Sequence, residues 1–300
     1  MAGRFRQIQK KIESIRSIVK ITRAMELVAA SRIVKAQNRL TQARPYARGI
    51  QDAIRELAGV TEVATEFPLL KPRDDIKTIG IVVITSDRGL AGSYNSNVIR
   101  HGANLIREAR AAGQSTRLYV VGRKGLSFFR FSNYEIAHSW QGISDTPQFE
   151  NAEELGGILV KDFVEGAVDE VRIAFTDYYS PGRQIPTLNT ILPIRKEDVT
   201  QEDKGKITPL YEFEPEAGII LSLLLPRYVN TVIFAALLES ATSEHAARRR
   251  AMKAATENGE ELAKVYTRVA NRERQAEITN EIMEVVGGAE ALREKEEAKV

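Results

Sequence analysis

The apolar residues of the first 58 positions recur at steps of four and three that alternate almost throughout, except near Thr22–Ala29, where two threes are followed by two fours. This spacing averages about 3.5 residues, the period of a coiled coil, in which one helix buries a continuous seam against another. The seam comprises Ile8, Ile12, Ile15, Val19, Thr22, Met25, Ala29, Ile33, Ala36, Leu40, Ala43, Ala47, Ile50, Ile54 and Leu57. We therefore expect one long helix over residues 1–58 that needs a helical partner.

The final part of the chain supplies the simplest partner. Residues 216–298 read as helix, with Pro226 as their only proline. At ~1.5 Å per residue the first helix alone would span about 85 Å, which is wider than a globular core. The chain would leave along the first helix and return along the last. We therefore predict an antiparallel coiled-coil shaft formed by residues 1–58 with residues 213–300.

The middle of the chain alternates between strand-like and helix-like segments. The segments TIGIVVIT, TRLYVVG, VRIAFTDYYS and IPTLNTILPI have the short apolar pattern of strands, whereas NSNVIRHGANLIREARAAG and ENAEELGGILVKDFVEG have that of helices. Such alternation indicates a mostly parallel sheet with helices on its faces. The predicted fold class is thus α/β, with a Rossmann-like domain over residues 75–212 inserted between the two long terminal helices.

The charge of the chain is unevenly distributed. The net charge is only +3, yet residues 1–55 contain 13 lysines and arginines against 3 acids. An acidic protein partner is the favoured explanation of this basic helix. A solvated helix face and a nucleic-acid contact are the alternatives, but the same residues contain only two aromatic side chains, Phe5 and Tyr46, which gives no stacking platform for bases.

The sequence offers no clear catalytic, cofactor or metal site. There are no cysteines, and the three histidines, His101, His138 and His245, have no metal-ligand spacing. The segment SDRGLAGSYN, residues 86–95, has the strand-turn-helix context of a phosphate site, but it lacks both G-x-G-x-x-G and a Walker lysine. We expect a tight turn that begins at Asp87, and no bound cofactor.

The apolar stretches of the chain are short. No apolar run approaches the roughly 18 residues of a membrane span. The first residues, MAGRFRQIQKKIE, lack the apolar region of a secretory signal. We therefore expect neither a transmembrane helix nor secretion.

Two glycines interrupt the helical pattern near the end of the chain. Gly287 and Gly288 each cost about 1 kcal/mol relative to alanine in a helix. A coiled coil does not gain stability from them. Close approach of another backbone is the natural reason for their presence.

Four motifs together resemble one protein family over essentially the whole chain. The motifs are KITRAMELVAASRIVKAQ (20–37), TIGIVVITSDRGLAGSYNSNV (78–98), SEHAARRRAMKAATENGEEL (243–262) and ITNEIMEVVGGAEAL (278–292). On these residues the chain is identified as a member of the family of γ subunits of F-type ATP synthases. Gly287 stands where many relatives carry serine, and Arg249 and Arg250 replace apolar residues found in some. The regulatory insertion of chloroplast and cyanobacterial forms is not evident.

The resemblance implies the central rotor of a proton-translocating ATP synthase. The coiled coil would lie in the bore of a hexamer of three α and three β subunits, with one copy of the chain per complex. The α/β domain would contact the ε subunit and the c ring of Fo. The shaft would couple rotation of the ring to the conformations of the β subunits and would itself be non-catalytic. The complex would lie on the cytoplasmic side of a bacterial cell membrane, as a peripheral membrane assembly.

The resemblance also assigns contact residues by motif position. The expected contacts with the β subunits are Lys20, Arg23, Met25, Arg248, Arg274, Gln275, Thr279 and Glu281. The expected contacts with the c ring and the ε subunit are Tyr211 and Glu212.

Two other functions are compatible with parts of the sequence. One is a Rossmann-type enzyme that dimerises through its terminal helices, although the glycine fingerprint of nucleotide binding is missing. The other is a basic coiled-coil adaptor on nucleic acid, which would bind with a steep dependence on salt.

Overall fold

The computed structural model describes residues 2–60, 67–195 and 216–297. A central sheet lies between two long terminal helices in the order of the chain, as the sequence predicts. The helices are α1 (Ala2–Val60), α2 (Tyr94–Ala111), α3 (Arg123–Phe131), α4 (Phe149–Val164) and α5 (Ala217–Glu297). The strands are β1 (Thr78–Ile84), β2 (Ser115–Val121), β3 (Ile136–Trp140), β4 (Glu170–Ser180) and β5 (Arg183–Leu192).

The five strands form one mixed sheet with the order β3-β2-β1-β4-β5. The pairs β1–β2, β1–β4 and β2–β3 are parallel, and β4–β5 is antiparallel. The prediction of a mostly parallel sheet is therefore confirmed. β5 runs antiparallel because only a short turn, and no crossover helix, separates it from β4. The elements α3 and β3 were not predicted from the sequence.

The central strand β1 is buried on both faces because helices cover both sides of the sheet. Six of its seven residues are buried. Ile81 and Val83 face a core that α2 and α3 complete, whereas Val82 and Ile84 face a second core. Successive side chains of a strand point to opposite faces, so a continuous apolar run is the expected sequence of such a strand.

The second core joins the sheet to helices from both ends of the chain. It contains Ile54 of α1, Leu155 of α4 and Ile233 of α5, all fully buried. α4 and α5 approach closely at Gly156, where a Cβ atom would lie 2.0 Å from Oδ1 of Asn230. Parts of α1 and α5 are therefore integral to the folding of the sheet.

The described chain divides into two compact units. A hairpin unit falls within Met1–Val28 and Arg250–Val300, and an α/β unit comprises Ala29–Arg249. In the hairpin unit Ile8 and Ile12 pack with Ala270, and Arg4 pairs with Glu273.

Farther along α1 in the hairpin unit, Thr22 contacts Thr256, so residue numbers rise in one helix as they fall in the other. The two helices are antiparallel, as predicted. The predicted domain limits, 1–58 with 213–300 and 75–212, remain a prediction.

The expectation that no apolar stretch approaches the length of a membrane span is wrong for α5. α5 contains a window of 18 residues with a mean hydropathy of 1.7, which is long and apolar enough to cross a membrane by length and composition. Packing accounts for part of the apolarity of α5, because its first part buries Leu221, Leu225, Val229, Ile233 and Leu237 in the second core, and 39% of the apolar window is buried. The apolar side chains cover the sheet and so follow the pattern of a core helix.

Candidate functional site

Three residues that the family resemblance assigned to a partner lie on α1 in the hairpin unit. On α1, Lys20 and Arg23 are exposed and Met25 is half-buried. Arg23 lies 3.7 Å from Glu260, and its side chain remains 67% exposed. An ion pair this exposed contributes at most about 1 kcal/mol, so Arg23 can exchange Glu260 for a partner at little cost.

The interior of the hairpin at the same level is closely packed. The hydroxyls of Thr22 and Thr256 lie 2.7 Å apart, and both residues are buried. Val19 packs against Gly259, where a Cβ atom would lie 2.6 Å from Cγ2 of Val19. These contacts hold the two helices in one register. The register fixes the position of Lys20 and Arg23 on the outer surface.

Four further predicted residues lie toward the end of α5. Arg274, Gln275, Thr279 and Glu281 are exposed, and the hydroxyl of Thr279 donates to the backbone carbonyl of Gln275 at 2.9 Å. They follow Glu273, which pairs with Arg4 near the start of α1. Their polar groups are thus open to a partner.

The same end of α5 exposes apolar side chains. They are Ile278, Ile282, Met283, Val285 and Val286, with exposed fractions between 47% and 72%. In the described part of the chain, nothing lies within 4 Å of a Cβ placed on Gly287 or Gly288. Contiguous apolar surface of this kind is typical of a protein interaction site. The close approach predicted at the glycines is therefore not made by the described residues and stays a prediction.

Arg248 differs from the other predicted contacts. It belongs to the α/β unit, and only 6% of its surface is exposed. Its guanidinium donates to Glu244 at 2.5 Å and to the carbonyl of Gly89 at 3.3 Å. A contact with a partner would compete with these bonds. The other two predicted contacts, Tyr211 and Glu212, lie outside the described residues.

Arg248 is part of a buried polar cluster that the sequence reading missed. Burial raises the pKa of the Glu244 carboxyl, and Arg248 opposes that rise. His245 lies 3.4 Å from Arg248 and 3.3 Å from the carbonyl of Asp145, whose side chain pairs with Arg32. The spacing of four between Glu244 and Arg248 on a helix was the available signal.

The turn at residues 86–95 is held by hydrogen bonds within the α/β unit. The carboxylate of Asp87 accepts bonds from the backbone N–H groups of Arg123 and Ser144, each at 3.1 Å. Burial opposes ionisation, but these backbone bonds outweigh it and lower the pKa of Asp87. Asp87 therefore ties three loops together at the carboxyl edge of the sheet.

The histidines are packed or exposed as single residues. His138 stacks between Tyr119 and Trp140, with ring centroids about 6 Å apart. His245 is buried and His101 is exposed. Within the described ranges, no group of three or more metal-ligating side chains is found.

Comparison with known proteins identifies relatives along the whole chain. A family model described as ATP synthase matches residues 4–292. A protein named "ATP synthase gamma chain" from Acidothermus cellulolyticus is 46% identical, over 97% of this chain and 98% of that protein. These names agree with the motif resemblance and do not support a Rossmann-type enzyme or a nucleic-acid adaptor.

Two solved structures share the fold. One is a chain of the central stalk and c ring of the mitochondrial ATP synthase from Tetrahymena thermophila. It matches with a TM-score of 0.61 and is 24% identical, and the match covers 78% of this chain and 99% of that chain. The rotor of the Euglena gracilis mitochondrial ATP synthase includes a chain that matches with a TM-score of 0.62 and 17% identity, over 93% and 100%.

Proposed function

Since the chain belongs to the gamma-chain family of ATP synthases, we propose that it is the central rotor subunit of a proton-translocating F-type enzyme. In this role it couples rotation of a membrane c ring to conformational cycling of the β subunits in an α3β3 hexamer. The observation that carries the proposal is the 46% identity to a named gamma chain over nearly the full length of both proteins.

The hairpin unit supplies the mechanical part of the proposal. A shaft that turns inside a ring of three like sites presents different side chains to each site in sequence. Each site is biased toward the conformation whose contacts with the shaft are most favourable, which is a population shift driven by differential contact. Lys20, Arg23 and Met25 form one such set of contacts. The exposure of Lys20 and Arg23 and the weak pairing of Arg23 support this assignment.

The end of α5 supplies a second set of contacts. Arg274, Gln275, Thr279 and Glu281 would meet loops of the β subunits, and the exposed apolar side chains of the same segment would run inside the hexamer. Arg248 would reach a β subunit only by exchanging its bond to Glu244. Tyr211 and Glu212 would meet the c ring and the ε subunit.

We also propose that the chain performs no chemistry itself. The turn that most resembles a phosphate site uses the carboxylate of Asp87 to bond two backbone N–H groups of the same unit. ATP synthesis and hydrolysis would take place on the β subunits. The chain would need no cofactor, would be present once per complex, and would contact no nucleic acid.

As a subunit of an ATP synthase, the chain would be part of a membrane-associated complex. Its named relative in Acidothermus cellulolyticus is bacterial, which supports a place on the cytoplasmic side of the cell membrane. The chain would be held there peripherally, through its contacts with the c ring.

The proposal is tested by capture of the tagged full chain from its native source at moderate ionic strength. We expect recovery of a complex with ATPase activity that contains α, β and ε subunits. The variant Lys20→Glu/Arg23→Glu should weaken the coupling of ATP hydrolysis to proton movement. The matched control, Arg100→Glu/Arg107→Glu on exposed positions of α2, should not. Recovery of the chain without an ATPase would contradict the proposal.

A further inference from the structure

Two adjoining cavities lie beside strands β4 and β5 in the α/β unit. Their volumes are about 460 Å³ and about 250 Å³. Both are lined by Gln51 of α1, Asn189 of β5, and Tyr228 and Val232 of α5. The cavities therefore form one recess between the strands and the two terminal helices, within the size range of small-molecule sites.

The smaller cavity combines apolar walls with two carboxyl groups. Ile173, Phe175 and Asp177 alternate along β4, so their side chains share one face of the strand. Ala236 and Glu239 of α5 line the same space. Apolar walls with a few convergent polar groups are the usual composition of a site for a small organic ligand.

The two carboxyl groups interact directly. One oxygen of Asp177 accepts a bond from the hydroxyl of Thr187 at 2.8 Å. Burial, together with the hydrogen bond and the charge of Asp177, raises the pKa of Glu239 to about 8, and Arg44 of α1 opposes this rise. Near neutral pH the carboxyl of Glu239 is therefore mostly protonated. The positive charge of a bound ligand could replace that proton.

We propose that this recess binds a small amphipathic amine, with its ammonium group against Asp177 and Glu239 and its apolar part against Ile173 and Phe175. An anion would be repelled by the carboxylates. A hydrated divalent cation would need about six oxygen ligands and would lie against apolar walls. A primary amine satisfies both parts of the recess. This site is separate from the rotor contacts, so its failure would not affect the proposed function.

The test uses phenethylamine as the probe and the full chain as the receptor. Calorimetry should detect saturable binding that strengthens by about tenfold per pH unit between about pH 6 and pH 8, because the bound ammonium displaces the proton of Glu239. Repeating the titration in buffers of different ionisation enthalpy should show about one proton released per amine bound at the lower pH. Phenethyl alcohol, which has the same apolar part without the charge, should bind weakly and with no dependence on pH.

Two variants separate the site from unspecific binding. Glu239→Gln should weaken amine binding by about tenfold and abolish proton release, because the charge that the ammonium meets is reduced. The matched control, Glu261→Gln, changes an exposed acid on the same helix and should bind as the native chain does. Three results would each overturn the proposal. They are the absence of saturable binding, equal binding of the amine and the alcohol, and unchanged proton release in Glu239→Gln. Thermal melting of both variants verifies that the fold is kept.

Discussion

The hydroxyl oxygens of Thr22 and Thr256 lie 2.7 Å apart in the interior of the helical hairpin. Thr256 also donates to the backbone carbonyl of Met252 at 2.9 Å. Thr22 likewise has the backbone carbonyl of Val19 at 3.1 Å, so one hydroxyl donates to the other while the accepting hydroxyl donates to a carbonyl of its own helix. The bond between the two hydroxyls, unlike their bonds to carbonyls of their own helices, forms in one register only. The pair therefore selects the alignment of α1 against α5 in this unit.

Loss of both members of this pair should cost less than the sum of the two single losses. Thr22→Val or Thr256→Val each removes the bond, and we expect a loss of about 1 kcal/mol in the free energy of unfolding. The double variant replaces both groups with similar apolar shapes, so its loss should be well below the sum. Chemical unfolding followed by helical circular dichroism measures the cycle. Additive single losses would show that the hydroxyls are not coupled.

The contact between Val19 and Gly259 predicts an unfavourable substitution. Alanine improves helix propensity by about 1 kcal/mol, but overpacking costs about 1–3 kcal/mol. Since a new Cβ would lie 2.6 Å from Val19, we expect Gly259→Ala to lower stability by about 1 kcal/mol.

Thermal melting of Gly259→Ala checks this expectation. The companion variant Val19→Ala/Gly259→Ala should recover part of the loss, since the smaller side chain makes room for the new methyl group. A stabilised Gly259→Ala would mean that the helices can separate freely at this level.

Much of the helical architecture followed from the sequence because its signal is periodic. Spacing alone placed five residues on one seam, and all five are buried: Ile8, Ile12, Ile33, Leu40 and Ile54. The strands β1, β2, β4 and β5 were also found, since each is a short apolar run bounded by polar or turn residues.

Other elements have no periodic signal. β3 consists of only five residues, Ile136–Trp140, of which only Trp140 is buried, so its pattern does not differ from that of a loop. The cluster of Glu244, Arg248 and Asp145 depends on residues about 100 positions apart, which only the folded chain brings together. The partner contacts were assigned by family resemblance, because the positions that a partner touches leave no trace in the packing of a single chain.

Burial of His245 predicts a dependence of stability on pH. Burial lowers the pKa of His245 to about 4, and the nearby Arg248 and Arg32 act in the same direction, against Asp145. The unfolded chain takes up this proton near pH 6.5. Between about pH 6.5 and pH 4 the unfolded state thus binds more protons, and stability should fall by up to about 3 kcal/mol as pH decreases.

The contribution of His245 is obtained by comparison with a variant. Glu244 has a raised pKa and contributes in the opposite sense, so the difference between the native chain and His245→Gln isolates the histidine. Urea unfolding across this pH range should show a shallower acid loss in His245→Gln. His101→Gln changes an exposed histidine and should follow the native curve. Parallel curves for all three chains would refute the assignment.

The glycines near the end of α5 predict opposite effects in the free and assembled chain. Nothing in the described structure lies within 4 Å of a Cβ on Gly287 or Gly288. Replacement of both by alanine should therefore stabilise the free chain by about 1 kcal/mol each. In the complex a neighbouring backbone would meet two methyl groups, at a cost of about 1–3 kcal/mol. We expect the double variant to have a higher melting temperature as a free chain and a lower ATPase rate in the complex. An unchanged ATPase rate of the complex would show that the glycines have no packing role.

Rotation of the chain relative to the β subunits tests the central claim most directly. The chain contains no cysteine, so Arg107→Cys on the exposed surface of α2 provides a single labelling site for a bead or fluorophore. The complex is immobilised through its β subunits, and the label is followed after ATP is added. Rotation in one direction with steps of about 120° is expected, as the proposed threefold arrangement of β subunits requires. Sustained ATP hydrolysis with a label that stays fixed relative to the β subunits would contradict it.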